Sequence, residues 1–144
     1  MLQMADELRD EERIQEALTR CEQALVVLRD VRNARHEGAA LSLRGDLLAQ
    51  LGRFEEARAS LQAGEAILRK VGDQHALVRL LCARGHAEAA AGNPAAAHEA
   101  LGAAEALAAA SGVMPESEPG RALAALRAAL AQRLEPTVIA GRTP

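Results

Sequence analysis

His75, Cys82 and His86 are the residues whose types and spacing come nearest to chemistry. They stand seven and four positions apart, which places them near one face of a helix. Imidazole and thiolate at that spacing can hold a divalent metal, but a structural zinc site takes three or four ligands in a recognisable order. No such Cys/His order accompanies them, so the trio reads as a packed cysteine between solvated histidines, and no metal or cofactor is expected. The second cysteine, Cys21, also lies inside an apolar helical pattern, where a thiol packs as a small hydrophobe. The carboxylates Glu7, Asp10, Glu11, Glu55 and Glu56 sit on no apolar stretch that would raise their pKa into the range of a general acid. They read as solvated faces, as do Arg69 and Lys70. Arg53 and Glu56 are placed to pair at i,i+3. No Ser/His/Asp or Cys/His order suits a nucleophilic triad, and no glycine-rich loop precedes a Lys-Ser or Lys-Thr pair. The residues give no ground for calling the chain an enzyme.

The elements that position these residues are helical. The 144 residues are 49% hydrophobic, mostly alanine and leucine, with one Phe and no Trp or Tyr. Strands draw on β-branched and aromatic side chains, so this balance favours helices. Seventeen Lys and Arg against twenty Asp and Glu give a net charge of −3, spread along the chain. Without a basic stripe or stacking aromatics, a nucleic-acid partner is not expected. No apolar run approaches the length of a membrane span, and charges begin at Asp6, too early for a leader's apolar core. Two cysteines without a framework suit a reducing compartment, so a cytoplasmic location is expected.

The chain repeats itself at 40 residues. Residues 41–72 laid over 81–112 match at 11 of 32 positions without a gap. Leu41 meets Leu81, Arg44-Gly45 meets Arg84-Gly85, Gly52 meets Gly92 and Leu61 meets Leu101. Glu65-Ala66 meets Glu105-Ala106, and Gly72 meets Gly112. The same shift works more weakly backwards: Arg13, Glu16, Ala17, Leu28, Arg29 and Val31 match over 52–71. Each period reads as two helices closed by glycines. Helices are predicted over 34–51, 54–71, 74–91 and 94–111, with Asp73 and Asn93 as N-caps and Pro94 at the first helical position. Pro119 opens a last helix over 119–134, and 135–144 reads as a frayed tail. The register gives repeats at about 1–33, 34–72 and 73–112. A tight turn is predicted after about Asp10, dividing residues 1–32 into two helices.

The order Leu41-x2-Arg44-Gly45-x2-Leu48-x3-Gly52-x-Phe54-x2-Ala57-x3-Leu61 resembles the tetratricopeptide repeat signature, and the second copy keeps Leu81, Gly85, Gly92, Ala97 and Leu101. The family's aromatics are mostly replaced by leucine, Pro94 stands where an aromatic is usual and Gly64 where alanine is usual. The period is 40 rather than the commoner 34. That longer style looks like the arrays attached to bacterial signalling kinases and large ATP-dependent regulators. The resemblance covers about residues 1–134 and implies an all-α, right-handed solenoid of antiparallel helix pairs, about three repeats and a final helix. It implies a non-catalytic scaffold that binds a protein or peptide partner on its concave face.

On that resemblance, the groove-facing positions are Asp6, Arg9, Ser42, Asp46, Ala49, Gln50, Arg79, Cys82, His86 and Ala89. The family's Lys/Asn clamp for a peptide's terminal carboxylate is missing: Asp46 and His86 stand at the asparagine positions, and the set holds no lysine. A second surface is expected on the last helix. Leu123, Leu126, Leu130 and Leu134 are more leucine than one stacking face hides, which makes homodimerisation the alternative role.

Overall fold

The computed structural model describes the backbone of residues 2–142 and the side chains of residues 5–133. The fold is all-helical: α1 (Leu2–Asp30), α2 (Ala34–Gln50), α3 (Phe54–Val71), α4 (Gln74–Ala90), α5 (Pro94–Ala110) and α6 (Glu118–Arg142). The helices stack as the register requires. α2 pairs with α3 and α4 with α5. Along the stack α1 lies on α2, α3 on α4 and α5 on α6, while α2, α4 and α6 form a continuous layer.

The caps explain the boundaries. The carboxylate of Asp73 accepts from the Ala76 amide at 3.1 Å, and the Asn33 side chain accepts from the His36 amide at 3.3 Å. Asn93 holds the cap position before Pro94 but makes no side-chain cap bond; its amide donates instead to Glu88. The turns within each pair pass through Gly52 and Gly92 at φ +77° and +84°, where a Cβ is strained.

That requirement accounts for the first departure from expectation. Residues 2–30 form one helix, not two. One period before Gly52 stands Glu12. An L-residue in the left-handed region costs about 1–2 kcal/mol, whereas Glu within a helix costs little. The segment from Leu2 to Asp30 holds no glycine or proline, so the helix runs through. A turn after α1 survives, with Arg32 at φ 54° where Gly72 stands one period on. Closing that turn lets Leu18, Cys21 and Leu25 bury against α2. The straight course leaves residues 5–13 all exposed.

The core is built from a few leucines and many alanines. Leu48, Leu61, Leu68, Leu80, Val78 and Leu126 are fully enclosed. Ala97, Ala100, Ala104 and Ala108 form the buried stripe of α5, at i, i+3/i+4 spacing. Small residues let the helices close up: a Cβ on Gly38 or Gly45 would overlap Leu68 or Leu61 of α3. Ser60, the one buried polar side chain among the described residues, donates to the Leu41 carbonyl at 2.8 Å.

The polar part of the repeat has a structural use. Arg44 reaches back to Glu22 on α1, Arg84 to Glu65 on α3, and Arg127 to Glu105 on α5. Each joins the first helix of a pair to the second helix of the pair before it, which is why Arg44/Arg84 and Glu65/Glu105 coincide in the alignment. Such exposed pairs are each worth at most about 1 kcal/mol, so they set register more than stability. Arg53 and Glu56 pair as their spacing predicted, at 2.7 Å.

Two further expectations are corrected at the C-terminal end. Leu123, Leu126 and Leu130 are 6%, 0% and 4% exposed, packed against the preceding helices. They complete the core of the last layer and offer no surface to a second copy; the side chain of Leu134 lies outside the described residues. The helix also continues past Leu134 to Arg142, where a frayed tail was expected.

Candidate functional site

The layer formed by α2, α4 and α6 encloses a cleft of about 230 Å³. Its walls come from one stripe per helix. α2 gives Ala39, Ser42, Leu43 and Asp46; α4 gives Ala76, Arg79, Cys82, Ala83 and His86; α6 gives Ala122 and Ala125. The stripe on α4 from Arg79 to His86 lies 40 residues after the stripe on α2, position for position. The repeat therefore builds the cleft by presenting the same four helix positions twice.

Five of the residues singled out from the sequence meet here: Ser42, Asp46, Arg79, Cys82 and His86. Gln50 does not line the cleft but donates from Nε2 to Asp46 at 3.0 Å, one turn away. The remaining groove positions are corrected. Asp6 and Arg9 are exposed on the projecting half of α1, because the straight helix carries them away from the layer. Ala49 and Ala89 are buried in the core. Leu43, 51% exposed, and the five alanines were missed. The signal that finds them is helical spacing: Ala39 and Leu43 flank Ser42 and Asp46 at i−3, i+1 and i+4.

The electrostatics of the cleft are uneven. Arg79 on α4 pairs with Glu118 on α6 at 2.9 Å. Asp46 is half-buried. Burial raises its carboxyl pKa, while the Gln50 hydrogen bond and the nearby His86 pull it back down. Among the described residues no Lys or Arg pairs with Asp46. Burial also pushes the Cys82 thiol up to about 11, against the opposing pull of Arg127, so it is protonated and inert near neutrality. Cys82 is 2% exposed and belongs as much to the core as to the cleft floor. His75 is exposed at the start of α4. Among the described residues no three His, Cys, Asp or Glu side chains come together as metal ligands. No helix of the described residues is long and apolar enough to cross a membrane.

A larger cleft of about 510 Å³ opens between α3, α4 and α5. Four of its five charges are matched within the chain, Arg58 by Glu88 at 2.7 Å and Arg84 by Glu65; Glu99, exposed at its edge, forms no ion pair among the described residues.

Compared with known families, residues 1–70 match a model described as tetratricopeptide repeat. No curated protein and no solved structure matches the chain.

Proposed function

The chain carries tetratricopeptide repeats, and from that premise we propose that it is a non-catalytic scaffold holding a protein or peptide partner in the cleft between α2, α4 and α6. Repeats of this kind generally mediate contacts between proteins. The observation that carries the reading is the convergence of Ser42, Asp46, Arg79 and His86 with exposed Leu43 in one concave site. Polar groups of both signs over an apolar floor suit an extended segment of a partner. The long repeat supports a place in a signalling or regulatory assembly. Homodimerisation through the last helix is not carried forward, since Leu123, Leu126 and Leu130 are core.

The test compares wild type with Asp46→Lys, Arg79→Glu and His86→Ala in affinity capture, with circular dichroism showing that each variant is folded. Partners should be lost selectively from the variants. If every specific partner of the wild type is retained by all three, the cleft is not the binding face.

A further inference from the structure

The cleft holds one charge, Asp46, that no Lys or Arg among the described residues pairs with. Arg79 and Glu118 neutralise one another across α4 and α6. Asp46 receives only the neutral amide of Gln50, and no Lys or Arg among the described residues pairs with it. His86 on α4 is the one titratable base that acts on it from the facing helix. The Cys82 thiol beneath is protonated. The inner cleft therefore presents a carboxylate with no Lys or Arg partner among the described residues.

Its surroundings restrict what can satisfy that carboxylate. Leu43 and Ala39, Ala76, Ala83, Ala122 and Ala125 make the rest of the lining almost wholly aliphatic and short. A bare cation would reach Asp46 but leave this floor wet. A long aliphatic stem ending in a positive charge satisfies both: methylenes on the alanines and Leu43, and the charged head on the carboxylate. Arginine or lysine in a partner has that shape.

We propose that the cleft recognises a lysine or arginine side chain of the partner segment, with Asp46 as its counter-ion. The inference rests on the cleft being the binding face.

The full chain is titrated with three fluorescein-labelled nonapeptides of alanine and leucine that differ only at the central residue: lysine, norleucine or glutamate. Norleucine keeps the stem and removes the charge. A charge-assisted hydrogen bond corresponds to about a tenfold or greater preference, so lysine should bind at least tenfold more tightly than norleucine, and glutamate least. Asp46→Asn should bring the lysine peptide down to the norleucine level and leave norleucine unchanged. Asp46→Lys should favour glutamate. Equal binding of lysine and norleucine by wild type overturns the proposal without any variant, as does an Asp46→Asn protein that keeps the preference. Amide shifts in ¹H–¹⁵N spectra separate the two levels of failure. If all three peptides move Ser42, Ala83 and His86 equally, the cleft still binds segments and only the cation is wrong. If none moves them, the binding face and the cation fall together.

Discussion

Gly45 is where the packing of the repeat can be tested most sharply. A Cβ built on Gly45 would stand 2.5 Å from Leu61 Cγ, 2.6 Å from Leu61 Cδ2 and 3.3 Å from the Ala57 carbonyl oxygen. The close atom is the branch point of a side chain that is 1% exposed, so it cannot swing aside. Overpacking of this kind costs about 1–3 kcal/mol, and a clash with Cγ belongs at the upper end. Alanine in place of glycine in a helix returns about 1 kcal/mol. Gly45→Ala should therefore destabilise by about 2 kcal/mol. With a urea m-value of about 2 kcal/mol/M, the unfolding midpoint falls by about 1 M. Gly102 supplies the control. It is exposed inside α5 with nothing within 4 Å of a new Cβ. Gly102→Ala should stabilise by about 0.5–1 kcal/mol. Urea denaturation followed by circular dichroism reads both. If the two substitutions shift the midpoint equally and upwards, the close approach of α2 to α3 is wrong.

Two other outcomes follow from features away from the cleft. Spin labels on Ala5→Cys and Gln23→Cys, with Cys21 and Cys82 replaced by alanine, should lie about 27 Å apart along a straight α1. Glu12→Gly should add a short distance near 10 Å, the separation of packed helices, and that short distance in the parent protein would refute the continuous helix. The folded-state pKa of Cys82 is raised above its ordinary value of 9.0 to about 11. The folded state then holds its proton over a range where the unfolded chain has lost it. Stability should be level below pH 9 and decline from there towards pH 11, and Cys82→Ala should flatten that decline. Cys21, raised in the same direction by burial, adds to the decline.

The sequence exposed most of the fold because the repeat is written in the residues that packing needs. Gly52, Gly72, Asp73 and Pro94 mark helix ends through backbone chemistry that is local, so their positions could be read directly. The continuous α1 could not be read so simply. The alignment shows that residues 12–31 follow the period, but the decision at residue 12 depends on a conformational cost set against the burial a turn would gain. The leucines of α6 were misjudged for a related reason. Whether Leu123 and Leu126 are surplus depends on how many neighbours the last helix meets, and Gly85 on α4 makes room for Leu126. The cleft was half legible. Register found the polar residues of α2 and α4, while Leu43 and the alanines went unnoticed because an alanine carries no chemical signal until a neighbour gives it a place.

The layered order of the helices also has a mechanical side. Among the described residues, α2 and α4 touch, and α4 and α6 touch, but α2 and α6 do not. The width of the cleft between them is thus fixed only through α4, like two leaves on one hinge. A bound segment reaching from Asp46 to Ala125 would be the one brace connecting the outer leaves. Its stiffness would then be felt at both ends of the stack, far beyond the atoms it touches.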